Sequence, residues 1–289
     1  MMTMRFWGVR GSLPSPGPAT LRYGGNTICV ALRCGPHLLI LDAGSGLRAL
    51  GNALADAGEA TDADLLLSHT HLDHICGLPF FQPVYDPRAR LRIWGGHLTP
   101  PDSIAAAVRR SLREPLMPNI DAAFRASVSY HDFTAGDAPL VRPSVRVETI
   151  ALRHPGGSIG YRINWAGASL CYVTDTELLP GRIDAALVAF VAGADVLIQD
   201  STYTDVEYLA RVGWGHSTWQ EAVRLADAAA VRTLVLFHHD PAHDDAAMDE
   251  IAAAAAEHRP GTLVAQESME ITISGFGGVV AELKPSSCP

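Results

Sequence analysis

The feature of this sequence that most constrains its fold is a set of five short apolar runs, each followed by histidine or aspartate, directly or after one polar residue. These runs lead into the cluster at 69–74 and into His154, Asp175, Asp200 and His238. Short apolar runs bounded by polar and turn-forming residues are typical of buried strands. A core strand places the residue at its end reproducibly, and open α/β sheets bind ligands at the carboxyl ends of their strands. The pattern therefore predicts an α/β fold with a site built from strand ends.

The first run ends in Ser68-His69-Thr70-His71-Leu72-Asp73-His74. Imidazole and carboxylate together are the ligand set of zinc, manganese or iron. On an extended end, side chains two residues apart point the same way, so His69 and His71 would serve one ion. Asp73 and His74 would turn toward a second. A solvated loop with coincidental histidines is the alternative, but three of the chain's 12 histidines fall within this one short stretch.

Composition and charge narrow the class of protein. The 289 residues are 48% hydrophobic and 18% charged, as in soluble globular proteins, and no linker-like stretch divides them, so we expect a single domain spanning 1–289. A net charge of −9 argues against broad binding to duplex nucleic acid. A few arginines could still hold a small phosphorylated substrate. The five cysteines are odd in number and form no CxxC pair, which argues against a disulfide framework.

Local sequence patterns predict the remaining secondary-structure elements and the cellular location of the protein. We expect hairpins within 27–42 and 159–174, and strand-helix alternation after each. Residues 114–133, which contain two prolines, are expected to be irregular and available to cover the site, and 285–289 to be frayed. The chain has no signal-peptide pattern and no apolar run of membrane-spanning length. We therefore expect a cytoplasmic protein without a membrane contact.

The order of the polar strand ends resembles that of the metallo-β-lactamase fold superfamily. HxHxDH is followed by an isolated His154 before a glycine-rich turn, then by Asp175 and by His238, and the match runs from residue 4 to about 275. The resemblance implies an αββα sandwich of two mixed β-sheets flanked by helices, with a dinuclear metal site along one edge. It also suggests homodimers, which are common in the superfamily.

The same resemblance implies a ligand set, carried over position by position. His69, His71 and His154 would bind one metal, and Asp73, His74 and His238 a second, with Asp175 bridging both. We expect two divalent metal ions, zinc first, with manganese or iron as alternatives. His239, beside His238, could instead support a ligand.

Within the superfamily the chain is most similar to the phosphodiesterase branch, which includes ribonuclease Z and cyclic-phosphate and cyclic-nucleotide phosphodiesterases. The similarity is carried by His154-Pro-Gly-Gly-Ser-Ile-Gly-Tyr161, by Thr174-Asp175-Thr176 and by Gly215-His216-Ser217-Thr218. Ribonuclease Z carries a long tRNA-gripping arm after the third histidine. Only 20 residues separate His154 from Asp175 here, so we expect no such arm and no stable nucleic-acid complex. The bridging Asp175 argues against a true β-lactamase, and His71 argues against the flavodiiron branch.

The resulting hypothesis is a metal-dependent phosphodiesterase that hydrolyses a small phosphodiester, cyclic phosphate or cyclic nucleotide. A metal-bridging hydroxide would attack phosphorus, Asp73 would orient it, and His216 would donate a proton to the leaving oxygen or stabilise the phosphate. The alternative for His216 is a structural histidine at a helix start. Candidate substrate contacts are Arg10, Asn26, Arg153, Tyr203 and His243.

Two other functions stay open at this point. The same seven ligands serve other ester hydrolases, such as glyoxalase-II-like thioesterases and lactonases. A metal-binding sensor that kept the ligands but lost turnover is also consistent with the sequence. The His216 element and the turn at 154–161 favour phosphodiesters. The substrate depends on the rim loops 10–26, 97–133 and 201–216, which carry no motif of their own.

Overall fold

Two mixed β-sheets, each flanked by helices, make up the fold in the computed structural model, which describes residues 1–139, 142, 144–182, 184–275 and 278–284. The strands are β1 (Met2–Gly8), β2 (Cys29–Cys34), β3 (His37–Leu41), β4 (Asp62–Leu66), β5 (Arg90–Gly95), β6 (Ser127–Asp132), β7 (Arg146–Leu152), β8 (Ser158–Trp165), β9 (Ala168–Val173), β10 (Val196–Asp200), β11 (Thr233–Phe237), β12 (Leu263–Val264), β13 (Met269–Ile273) and β14 (Val279–Leu283). The helices are α1 (Leu47–Asp56), α2 (Leu72–Ile75), α3 (Ile104–Ser111), α4 (Ala185–Val191), α5 (Asp205–Tyr208), α6 (Trp219–Ala228) and α7 (Asp245–His258). Short 3-10 turns cover Pro18–Thr20, Leu78–Phe80, Gln82–Tyr85 and Ile120–Ala123.

Both sheets combine antiparallel and parallel pairing. The first has the order β14-β13-β1-β2-β3-β4-β5-β6, antiparallel from β14 to β3 and parallel from β3 to β6. The second has the order β12-β11-β10-β9-β8-β7, antiparallel from β7 to β9 and parallel from β9 to β12. Parallel neighbours align their carboxyl ends at one edge, where residues that follow the strands come together.

The apolar interior explains the layering. Alternate residues of β1, including Met4 and Phe6, pack with Tyr161 of β8 and Phe237 of β11 in a core shared by the two sheets. A second core lies between the second sheet and α4, α6 and α7, and a third joins the first sheet to α1 and α3. The four layers are those of an αββα sandwich, which confirms the predicted fold class.

Two edge strands were not predicted. β6 lies inside 114–133, so the expectation that this whole stretch is irregular is wrong; β6 pairs in parallel with β5. Its residues are half-buried or exposed, which leaves no apolar run to detect. β14 is a largely exposed strand in which Val280 and Leu283 are 56% and 62% exposed. Both strands gain their order from backbone pairing with a neighbour, and a sequence pattern does not record that pairing.

Some expectations are not decided by the fold. The predicted frayed tail at 285–289 lies outside the described residues. The single-domain assignment stays a prediction. Across the described ranges, every helix is too short or too polar to cross a membrane.

Candidate metal centre

Strand ends from both sheets meet at one edge of the sandwich. β9, β10 and β11 run parallel, and Asp200 at the end of β10 pairs with Phe237 at the end of β11. Asp175 and His238 follow the ends of the two flanking strands. The cluster at 69–74 follows β4 in the other sheet, so the two sheets must stack before all of these groups can meet.

The seven predicted ligands are brought together. One ligand atom from each of His69, His71 and His154 lies within 4.8 Å of the other two, and these residues form the first group. The second group, with the same spacing, is Asp73, His74 and His238. Asp175 lies between them: its Oδ1 is 3.8 Å from Nε2 of His69 and 3.2 Å from Nε2 of His238. Its Oδ2 is 3.2 Å from Nε2 of His74.

The arrangement fits a divalent cation. The Nε2 atoms of His69, His74 and His238 are buried and have no hydrogen-bond partner among the described residues. A buried polar atom without a partner costs free energy. All three atoms lie near carboxylate oxygens, and imidazole with carboxylate is the donor set of zinc and related ions. A bound cation would therefore satisfy these nitrogens.

Two buried carboxylates orient the ligand histidines. Asp42 Oδ2 accepts the Ser68 hydroxyl at 2.8 Å and lies 3.0 Å from His74 Nδ1. Because that hydroxyl proton is committed to Asp42, the Nδ1–H of His69 donates to the Ser68 oxygen, 3.1 Å away. Tyr172 also donates to Asp42 Oδ2, at 2.8 Å. These contacts fix the tautomers that leave Nε2 free, as is usual for metal-binding histidines.

Asp200 performs the same task on the other side. Its Oδ1 accepts the Thr202 hydroxyl at 2.9 Å, and the Thr202 oxygen lies 2.9 Å from His238 Nδ1. Its Oδ2 lies 2.9 Å from Nδ1 of His216, whose ring stacks on that of His238 at 4.6 Å. His154 is fixed differently, since its Nδ1–H donates to the carbonyl of Gly215 at 2.9 Å. Asp200 therefore orients a predicted ligand and the predicted proton donor together.

The backbone at three strand ends is left-handed without glycine. Asp42, Asp175 and His238 have φ values of 58°, 52° and 65°. Such residues persist only where the surroundings fix them, and they concentrate at functional sites. Gly11 makes a related contribution, since a Cβ there would lie 2.1 Å from the His238 ring. Because Gly11 has no Cβ, the chain can pass the His238 ring and continue to Ser12. The N–H of Ser12 donates to Asp73 Oδ2 at 2.8 Å.

Electrostatics favours ionised carboxylates at this site. Burial would raise the pKa of Asp73, but the neighbouring rings of His74 and His238 lower it well below its usual range. Burial opposes protonation of His238, yet Asp175 and Asp73 raise its pKa to about 10. Metal binding would displace protons from these histidines, so metal affinity should fall as the pH falls.

Three of the predicted substrate contacts serve structural roles. Arg10 is fully buried, and its guanidinium donates to the carbonyls of Gly24, Asp240 and His243. These bonds hold Nε and Nη1 in the interior, and the expected contact of Arg10 with substrate stays a prediction. Asn26 bonds through its side chain to Glu267 and Ser45. His243 is 7% exposed and contacts Glu207 at 2.8 Å.

The other two lie closer to the centre. Arg153 precedes His154 and its side chain is 61% exposed. It lines a cavity of about 250 Å³ together with Thr176 and Glu177. Tyr203 is buried, and its ring meets that of His216 edge-on at 6.0 Å.

Sequence patterns missed two residues at the centre. Thr202 follows a predicted strand end by two positions, a signal that could have been used. His97 follows β5 and carries no spacing signal; its Nε2 lies 3.0 Å from the hydroxyl of Thr70, within the histidine cluster. Burial lowers the pKa of His97 to about 4, so it is neutral near neutral pH.

Comparisons with known proteins agree with this geometry. A family model described as the beta-lactamase superfamily domain matches residues 37–239. Ribonuclease Z of Mycobacterium sp. (strain KMS) is 30% identical over 241 residues, covering 78% of this chain and 81% of that protein.

Two solved structures share the fold. A diphosphatase from the PhnP family has a TM-score of 0.70 at 17% identity, covering 95% of this chain and 98% of that one. The short form of human tRNase Z has a TM-score of 0.65 at 22% identity, covering 94% and 99%. The predicted resemblance is confirmed: this chain belongs to the beta-lactamase superfamily.

Proposed function

We propose that this protein is a metal-dependent phosphodiesterase acting on a small phosphodiester, a cyclic phosphate or a cyclic nucleotide. The observation that carries the proposal is the placement of His216, an acid-base group hydrogen-bonded to a buried aspartate, directly beside the ligand histidines. The similarity to ribonuclease Z of Mycobacterium supports the same reaction class.

The residues present would hold two divalent cations. His69, His71 and His154 would hold one, and Asp73, His74 and His238 the other, with Asp175 between them; two of the groups whose ligand atoms lie within 4.8 Å of one another match this division. His216 also lies within that distance of His154 and Asp175, and of Asp200 and His238. We assign His216 to proton transfer from the resemblance. We propose zinc because histidine and aspartate are its usual ligands, with manganese or iron as alternatives. Bound divalent cations supply Lewis-acid stabilisation of phosphoryl oxygens and lower the pKa of bound water.

His216 is the proposed proton donor to the leaving oxygen. Asp200 accepts its Nδ1–H, which directs Nε2 away from the carboxylate. Asp200 is itself held by the hydroxyl of Thr202 and by the N–H of Ser217. Asp73, fixed by the N–H of Ser12, is proposed to orient the attacking water as well as to bind metal. Arg153 is the proposed contact to the substrate's phosphate or organic group, because it is exposed beside His154.

Cleavage of a tRNA precursor is the second candidate, favoured by the ribonuclease Z relatives. Against it stands the segment between His154 and Asp175, which consists of a short turn, β8, a two-residue turn and β9. A projecting tRNA-binding arm has no place there. We therefore propose a small substrate.

A homodimer and a cytoplasmic location remain proposals. Light scattering tests the first, and cell fractionation tests the second.

The test is hydrolysis of bis-p-nitrophenyl phosphate after chelation and after adding back zinc or manganese, with the metal content measured alongside. We expect metal-restored hydrolysis at close to two metals per chain. Two bound metals with no cleavage of this diester, but with hydrolysis of S-lactoylglutathione, would replace the proposal with a thioesterase. Bound metal without hydrolysis of any ester would indicate a sensor.

A further inference from the structure

Glu177 has a buried carboxylate to which the reaction above assigns no role. The residue is 5% exposed and lies two positions after Asp175. Its N–H donates to the carbonyl of Arg153 at 2.8 Å. Because Arg153 directly precedes His154, this bond joins the chain beside two of the proposed metal ligands.

One oxygen of this carboxylate anchors a distant part of the chain. Glu177 Oε1 accepts the Tyr208 hydroxyl at 2.7 Å and the N–H of Gly213 at 2.7 Å. Both donors belong to residues 205–214, which we call the rim segment. The other oxygen is 3.9 Å from Nε of the exposed Arg153, so the rim segment is the principal partner of Glu177.

The rim segment leads directly into the reacting groups. The next residue, Gly215, accepts the hydrogen bond from His154 through its carbonyl. Gly215 has a φ of +88°, and a Cβ there would lie 2.4 Å from His154 Nδ1, so the chain passes very close to the ring. His216 follows. A displacement of Gly213 would therefore move both the carbonyl that orients His154 and the ring of His216.

Burial of apolar side chains does little to hold the rim segment in place. Val206, Leu209, Val212 and Trp214 are between 60% and 79% exposed, while Tyr208 is buried against Glu177. The start of the segment is fixed by the capping box between Thr204 and Glu207. In its later part, the guanidinium of Arg211 lies over the ring of Tyr203, and the backbone of Gly213 is held by Glu177.

We propose that Glu177 is a positioning residue, whose carboxylate fixes the rim segment so that Gly215 orients His154 and His216 stands beside Asp200. The catalytic consequence rests on the proposed function. The anchoring does not. An oxygen acceptor at this position is what the two donors require, and a carboxylate charge is not.

Two substitutions separate these requirements. Glu177→Gln keeps an amide oxygen that can accept both hydrogen bonds, whereas Glu177→Ala removes the acceptor. Glu221→Ala is the matched control, because Glu221 is also 5% exposed and accepts hydrogen bonds from Gly181 and Arg224, outside the site. We expect Glu177→Ala to lower kcat about ten- to a hundredfold, part of the roughly 10²–10⁴-fold that a positioned general acid contributes. Glu177→Gln should stay close to wild type.

Two readouts distinguish positioning from loss of stability. The defect of Glu177→Ala should be larger on diphenyl phosphate than on bis-p-nitrophenyl phosphate, because phenolate is the poorer leaving group and needs the proton more. Amide hydrogen exchange in 205–216 should accelerate in Glu177→Ala and not in Glu221→Ala. Equal losses on both substrates, or a Glu177→Gln variant as impaired as Glu177→Ala, would overturn the proposal. If wild type cleaves neither diester, the proposed function fails, and unchanged exchange in Glu177→Ala would separately refute the anchoring.

Discussion

The Nδ1 atom of His74 lies 3.0 Å from Oδ2 of Asp42, and both residues are fully buried. Asp42 follows β3, whereas His74 belongs to the cluster after β4, so a parallel pair of strands places the carboxylate behind the ligand. The same carboxylate reaches His69 through the hydroxyl of Ser68. One side chain thus orients a proposed ligand of each metal.

Replacing Asp42 with asparagine should weaken metal binding without removing a ligand. An amide is a poorer partner for the Nδ1–H of His74, so we expect a loss of about 10–100-fold in metal affinity. Competition with a chromogenic chelator measures this change. Tyr172→Phe removes one hydrogen bond to the same carboxylate and should produce a smaller loss. An Asp42→Asn protein with wild-type affinity would contradict the assigned role.

Asp175→Ala should abolish metal-dependent turnover. Its carboxylate lies between the two ligand groups, so its removal takes a ligand from both. Metal analysis by mass spectrometry should show a loss of bound metal in parallel with the loss of hydrolysis. Full activity with two metals per chain would show that the dinuclear assignment is wrong.

His216→Asn should separate catalysis from metal binding. His216 is the proposed donor and not a proposed ligand, so the variant should keep its metals while kcat falls by about 10²–10⁴. Asp200→Asn should lower kcat as well, because an amide is a poorer acceptor for the Nδ1–H of His216. Steady-state kinetics on bis-p-nitrophenyl phosphate, with metal content measured on the same samples, provide the check. Loss of metal from His216→Asn would instead make it a ligand.

Removing the metal should destabilise the fold. Three buried ring nitrogens have no hydrogen-bond partner within the described part of the chain, and a cation that binds only the folded state stabilises it by mass action. At free metal about 100-fold above Kd, the stabilisation is about 2.7 kcal/mol. Calorimetry with chelator and with increasing zinc should show a rising Tm. A Tm independent of zinc would argue against binding at these nitrogens.

His97 should make the stability of the metal-free protein depend on pH. Burial lowers its pKa in the folded state to about 4 from an ordinary 6.5. Below pH 6.5 the unfolded chain binds a proton that the folded chain does not, so stability is lost as the pH falls from 6.5 toward 4. At about 1.4 kcal/mol per pH unit the loss approaches roughly 3 kcal/mol. Urea unfolding of chelated wild type and His97→Gln at pH 7 and pH 5 tests this, since the variant should lose less stability. Equal losses would refute the assignment to His97.

The sequence alone indicated the fold class and the seven residues that meet at the centre. Apolar runs of strand length with polar residues at their ends predicted an α/β fold and a metal site. The resemblance carried by the order of those ends supplied the sandwich and the ligand set. The strand-end pattern marked His154, Asp175, Asp200 and His238 alike, and the resemblance to the metallo-β-lactamase fold selected the ligands among them.

Only the tertiary structure decided what surrounds those residues. Arg10 was expected to meet substrate but is buried against backbone carbonyls, while His97 meets Thr70 and Glu177 meets Tyr208, contacts that no spacing suggested. The residues at the strand ends can be recognised in the sequence because each lies at or just after the end of its own strand. The contacts that orient them join residues far apart in the chain. They form only once the two sheets have stacked and the rim segment after β10 has folded beside the ends of the neighbouring strands.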